Sequence, residues 1–341
     1  MKYVLMEYTD QSNYTASSKA RDDVVNVLKG DGAVYVPLFQ AKTSKLKVLF
    51  TMMKSCCVMA LKLKKGDDIF IQYPYNPQVV NQILISILSK VCKIKSSNLW
   101  VIMHDINSFR FTSEHEREAH LEHESKLLNE ANCLVVHNER MAKLLLDHGC
   151  KAEMRILGFF DYLYEGNSAK TIYEGAPHII IAGNLSEDKA GYLYKLPELD
   201  AVFELYGVNY NQNHKKAVNV IYHGAFPPDR LIENLEGSFG LVWDGVSCET
   251  CEGNYGTYLR YNDPHKFSLY VASGLPVIVW DQSALAKTVK QLGIGITISS
   301  LFDISRIRQI VSLDDYQTMK RNVEVYCNNV KSGQMLRKAI L

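Results

Sequence analysis

The chain has 341 residues, too long for one ordinary compact domain and suited to two of about 150–170 residues each. Its apolar (47%) and charged (22%) fractions are those of a soluble globular protein, and a formal charge of +1 excludes a dedicated nucleic-acid binder, which carries a strongly basic face. Lys2 and Glu7 interrupt the first apolar stretch and no leader-type apolar run follows, so no cleavable signal is expected and the chain reads as cytoplasmic.

Strand-like and helix-like segments alternate from the first residue. Residues 3–8 read as a strand, the hydroxyl-rich 9–18 as a loop, and a helix runs to Gly30. A second strand over 33–38 precedes a lysine-rich helix. Residues 40–65 hold seven lysines and no acidic residue. Residues 43–65 thus have two readings: a peripheral contact with an anionic membrane surface, or a core-packing helix with solvated lysines, which amphipathicity favours. Its lysines exclude a membrane span. Further strands are expected at 68–73, 99–103 and 133–137, with helices from Pro77 to about Cys92, over 114–129 and from Glu139 to about His148. This βαβα rhythm predicts a parallel sheet covered on both faces.

Linker composition over 164–177 divides the chain, and the rhythm restarts. Strands are expected at 178–182, 202–206, 219–222, 239–242, 277–280 and 295–298, with a long polar helix over 314–329. The predicted domains are 1–163, 164–313 and a C-terminal helix and tail, 314–341. The fold class is α/β: two Rossmann-like, doubly wound domains facing across a cleft, with ligands beyond the carboxyl ends of strands.

Several strand ends in the second half carry a glycine beside an aromatic or polar residue: Gly183-Asn184, Tyr206-Gly207, Tyr222-His223-Gly224 and Trp243-Asp244-Gly245. Each is compatible with turn geometry or with a backbone that admits a phosphate. Asp263-Pro264 reads as an N-cap and first helical residue, and Gly274 followed by Pro276 as the stop of that helix. Lys266 beside its free amides makes a site for a phosphate or diphosphate. In the first half, His104-Asp105-Ile106-Asn107-Ser108-Phe109-Arg110 follows a strand. His104 or Asp105 there is a general base, with Arg110 holding an anionic group, or the segment is a hydrogen-bonded turn. Thr15 and Ser17 face the cleft or cap a helix. His115, His120 and His123 among the glutamates of 114–129 read as a solvated face. Cys248 and Cys251 lack a second ligand pair, so no metal is expected, and the eight cysteines read as reduced thiols. No G-x-G-x-x-G follows the first strand, which disfavours a nicotinamide-dependent oxidoreductase.

The run Asn262-Asp263-Pro264-His265-Lys266-Phe267-Ser268, then Gly274-Leu275-Pro276-Val277-Ile278-Val279-Trp280, Ser283-Ala284 and Gly293-Ile294-Gly295, resembles a family of bacterial GT-B sugar transferases. That family includes the accessory glucosyltransferase of streptococcal serine-rich adhesin glycosylation and the β-1,6-galactofuranosyltransferases of O-antigen and capsule assembly. His104-Asp105-Ile106-Asn107 and Phe239-Gly240-Leu241-Val242-Trp243-Asp244-Gly245 fit the same pattern. The resemblance implies a hexose transferred from a UDP-sugar, held by the second domain, to a glycan or glycosylated-protein acceptor held by the first. It implies a homo-oligomer with no cofactor beyond the donor and no metal, Lys266 and helix amides neutralising the diphosphate. By the same resemblance Asn184, Tyr206, Tyr222, Trp243, Asn262 and His265 line the donor site, with Thr15 reaching across, and the final helix crosses back to the first domain. The Glu-x7-Glu pair of many retaining GT-B enzymes is missing, since eight residues beyond Lys266 stands Gly274, which favours inversion with Asp105 or His104 as base. A different class of reading is a non-catalytic nucleotide-sugar-binding subunit that supports a partner transferase.

Overall fold

The computed structural model describes residues 1–8, 16–41, 43–111, 113–172, 176–213 and 218–341, and for 16, 17, 197 and 198 the backbone alone. The described chain divides into two compact units. The first contains β1 (Lys2–Tyr8), β2 (Val34–Gln40), β3 (Asp68–Tyr73), β4 (Asn98–Met103), β5 (Cys133–Val136) and β6 (Glu153–Ile156). These form one parallel sheet in the order β2-β1-β3-β4-β5-β6. β3 to β5 are buried apolar runs, as a sheet covered on both faces requires. β6, Glu-Met-Arg-Ile, is an edge strand too polar and short to stand out in the sequence.

The second unit contains β7 (Lys170–Thr171), β8 (His178–Asn184), β9 (Val202–Val208), β10 (Val220–Tyr222), β11 (Glu236–Gly237), β12 (Phe239–Val242), β13 (Val277–Trp280) and β14 (Gly295–Ile298). Its main sheet is parallel in the order β10-β9-β8-β12-β13-β14, with β7 and β11 forming a separate two-stranded ladder. Strand order reverses between β1 and β3 in the first sheet and between β8 and β12 in the second. Such reversals leave a crevice at the carboxyl ends of the strands, where ligands of open α/β sheets bind.

The long helix near the C-terminus differs from expectation. Residues Leu313–Lys331 start at a Ser312–Asp315 capping box and pack within the second unit. Tyr316 donates its hydroxyl to the Ser238 carbonyl (2.9 Å), and Lys320 donates to the Gly274 carbonyl (2.6 Å). Only Leu336–Leu341 belong to the first unit, where Arg337 pairs with Asp31 at 2.8 Å. The buried stripe of Tyr316, Val323, Cys327 and Val330 explains the difference: this helix has an apolar face to bury and buries it locally.

All eight cysteines are free thiols. Among the described residues no helix is long and apolar enough to cross a membrane, and no three His, Cys, Asp or Glu side chains stand together as a metal site.

Candidate functional site

In the second unit the site is built around the short helix His265–Ala272, which is followed by Gly274 and β13. Pro264 itself is the N-cap, in extended conformation (ψ 143°), so the helix begins one residue later than the Asp-Pro pattern implies. Tyr270 fixes this helix across the strand-order reversal. Its hydroxyl accepts the Ala182 N–H of β8 at 2.9 Å, and its ring lies on Gly240 of β12, where a Cβ would come within 2.1 Å of the ring. A glycine is therefore required at 240 for close approach, and that approach sets where Lys266, one turn earlier, emerges.

Lys266 is largely buried and donates to Asp244 Oδ1 at 2.7 Å and to the Trp243 carbonyl at 3.0 Å, both just beyond β12. An ammonium has three donors, so one remains for a ligand. Burial draws the Lys266 pKa down, Asp244 opposes this, and the neighbouring charge of Lys189 adds to the lowering. Lys189 follows β8. Its carbonyl accepts the Gly245 N–H at 2.7 Å, tying the loops after β8 and β12 together, and its ammonium lies 5.3 Å from the Tyr255 ring centre. Two lysines against one carboxylate, beside a helix start that no side chain caps, make a crevice suited to a diphosphate. Gly183 at the end of β8 has φ +124°, and a Cβ there would meet nothing within 4 Å, so this backbone is open to a ligand.

The other sequence-predicted donor residues divide into rim and core. Asn184 is exposed and its Oδ1 accepts from Ser186 N–H (3.1 Å) and Asn209 Nδ2 (2.9 Å). Tyr222 is half-buried and donates to the Gly207 carbonyl at 2.8 Å, its ring against Tyr210. Asn262 is half-buried, and its Oδ1 is buried with no hydrogen-bond partner, an acceptor suited to a ligand donor.

Three assignments are corrected. Tyr206 is 1% exposed, its ring stacked on His223 (4.5 Å) and its hydroxyl accepting Glu236 N–H, so it packs the core instead of meeting a base. Trp243 is 0% exposed and contributes its carbonyl, not its ring. His265 stacks on Tyr162 (5.1 Å), with Nε2 3.3 Å from the Asp161 carbonyl. Burial pushes its pKa down to about 4, so it is a neutral brace and offers no charge to a diphosphate. Thr15 lies outside the described residues.

In the first unit, His104 and Asp105 follow β4 and are half-buried. His104 Nε2 is 2.7 Å from Gln72 Oε1. Gln72 Nε2 donates to the Arg21 carbonyl at 3.2 Å, which turns its oxygen toward His104, so His104 Nε2 carries the hydrogen. The turn beyond, Asn107–Arg110, is held by Glu124. Glu124 is buried and accepts Tyr73 O–H (2.7 Å), Asn107 N–H (2.7 Å) and Ser108 N–H (2.9 Å), as well as the Ser108 hydroxyl in a short contact. Glu124 thus departs from the solvated face its helix shows in sequence. Arg110 is exposed. Behind the turn, His137 donates through Nε2 to the Met103 carbonyl at 3.0 Å, and burial pushes its pKa down to about 4.

Residues that sequence reasoning did not select complete both sites. Lys189 and Asp244 flank Lys266. Glu7, at the end of β1, lies 3.5 Å from Arg21 and has its Oε2 buried without a hydrogen-bond partner, and burial raises its pKa. The signal for Glu7 was a lone carboxylate closing an otherwise apolar strand. Lys189 had only its place six residues after the strand-end Gly183.

The description "Glucosyltransferase 3-like, N-terminal domain" matches residues 1–159 and "Glucosyltransferase 3-like, C-terminal domain" matches residues 179–341. The chain is 27% identical over 338 residues to the β-1,6-galactofuranosyltransferase WbbI of Escherichia coli K12, covering 96% of this chain and 94% of that protein. It is 27% identical over 281 residues to Glucosyltransferase 3 of Streptococcus gordonii, covering 81% and 78%. In fold it matches the Anabaena protein HepE, solved in complex with UDP, with a TM-score of 0.61 at 12% identity, over 100% of this chain and 99% of that one. The fold is GT-B.

Proposed function

Because the chain belongs to the glucosyltransferase 3-like family and is a glycosyltransferase, we propose that it moves a hexose from a UDP-sugar to a glycan or glycosylated-protein acceptor, with inversion. Glucose is the first choice of sugar and galactofuranose the second, after the two named relatives. The single observation that carries the donor class is the Lys266–Asp244 pair with Lys189 at the β8/β12 reversal. That crevice concentrates positive charge where a diphosphate leaving group would sit.

In the proposed step an acceptor hydroxyl oxygen attacks the anomeric carbon. The bond from that carbon to the β-phosphate oxygen breaks, UDP departs with the electron pair, and the hydroxyl proton passes to a carboxylate of the first unit. Lys266, Lys189 and the helix amides stabilise the leaving diphosphate without requiring a metal. Asp105 is the proposed base, with its neighbour His104 as the alternative, since Nε2–H donation to Gln72 leaves the imidazole lone pair on Nδ1. Glu7 is a further candidate, favoured by its partnerless buried oxygen and raised pKa.

The test is UDP release and product anomer, measured with a panel of UDP-sugars and glycan acceptors. An inverted product is expected, with Asp105→Asn lowering kcat by about 100-fold or more and leaving donor affinity nearly unchanged. Loss confined to Glu7→Gln would move the base to Glu7. A retained anomer would overturn inversion, and UDP binding without turnover on any donor would make the chain a nucleotide-sugar-binding subunit.

A further inference from the structure

The helix Lys45–Lys62 buries one face and leaves a second apolar face uncovered. Val48, Met52, Cys56 and Met59 pack into the first unit. On the opposite side Leu46 (81% exposed), Phe50 (74%), Met53 (42%) and Leu61 (84%) form a stripe, with the exposed Cys57 between them. Their spacings of three and four residues put them on one line along the helix. A core helix needs only the first face, so the stripe calls for a partner.

Charge identifies that partner. Residues 41–65 contain no acidic side chain, and the six described lysines there, Lys45, Lys47, Lys54, Lys62, Lys64 and Lys65, are all exposed. The helix Val79–Lys95, which packs beside it, also lacks acidic residues and exposes Lys90 and Lys93. We propose that this face docks on an anionic lipid bilayer, with the helix lying in the interface, Leu46, Phe50, Met53 and Leu61 among the acyl chains and the lysines at lipid phosphates. A second copy of the chain is the poorer occupant, because self-pairing of this face would bring lysines against lysines with no carboxylate in the segment to offset them. The helix is too short of clean apolar residues to span, so the contact is peripheral. The proposal does not depend on which sugar or acceptor the enzyme uses.

The test is co-sedimentation of the full-length protein with phosphatidylcholine vesicles, with and without roughly one-third phosphatidylglycerol, at about 100 mM salt. Binding to the anionic vesicles only is expected, falling as salt rises. At roughly fivefold per lysine, Lys47→Gln/Lys54→Gln should lower partitioning by about 25-fold. Phe50→Ser/Leu61→Ser should lower it by at least about tenfold, with an unchanged melting temperature, since both side chains are exposed. Equal binding to neutral and anionic vesicles, or no binding to either, overturns the proposal. So does wild-type partitioning by both double variants. A dimer in sedimentation velocity that Phe50→Ser/Leu61→Ser abolishes, without vesicle binding, would assign the stripe to self-association instead.

Discussion

Lys266→Ala is expected to lower UDP affinity by about 10- to 100-fold, the loss of one charge-assisted contact worth roughly 1.5–3 kcal/mol. The structure adds a second consequence. Asp244, 7% exposed, would keep a buried carboxylate with its cationic partner gone, at a cost to stability of about 3 kcal/mol. A lower melting temperature alone would therefore not report on the donor. The double variant Lys266→Ala/Asp244→Ala separates the two effects. Removing both charges should restore most of the stability and none of the UDP affinity, because the ligand's cation is still missing. Recovery of UDP binding in the double variant would mean that Lys266 serves only to neutralise Asp244. Titration calorimetry with UDP, paired with thermal melts, reads both quantities.

Gly240→Ala carries the other large effect, although residue 240 touches no ligand. The added methyl would come within 2.1 Å of the Tyr270 ring, and Tyr270, on the helix His265–Ala272, is fully buried against β8 and β12. A buried ring cannot swing away as an exposed side chain would, so the helix must shift or the strand must bend. The expected loss is about 3 kcal/mol or more. Because the same ring sets the position of Lys266, UDP affinity should fall along with stability. Gly240→Ala/Tyr270→Leu relieves the overlap and should recover part of the stability, at the cost of the Ala182 hydrogen bond. Urea denaturation of the single and double variants checks this. A single variant as stable as wild type would show that the close packing of Tyr270 on β12 is not what positions the helix.

How much of this was legible in sequence depended on whether chemistry and geometry coincide. The stretch Asp263–Gly274 was legible because proline, a helical apolar spacing and a glycine act locally, and Lys266 is indeed beside the helix start. Buried parallel strands stood out as apolar runs, whereas β6 did not, since an edge strand needs no such run. Aromatic residues at strand ends misled: Tyr206 and Trp243 sit one and two residues before a glycine, yet both rings are buried in the core. Glu124 was hidden for the converse reason. Its helix is charged almost throughout, and only the fold shows that one of those glutamates points inward to four donors. Lys189, Asp244 and Glu7 gain meaning from tertiary neighbours that no spacing encodes.

Hydrogen–deuterium exchange with and without UDP tests most directly the central claim, that the β8/β12 reversal is the donor site. Protection is expected over residues 183–189, 243–245 and 262–267. A second concave region offers the contrast: a cavity at the ends of β13 and β14, lined by Asp281, Lys290, Asp303 and Arg306. Protection there, with residues 183–189 and 262–267 unchanged, would contradict the account.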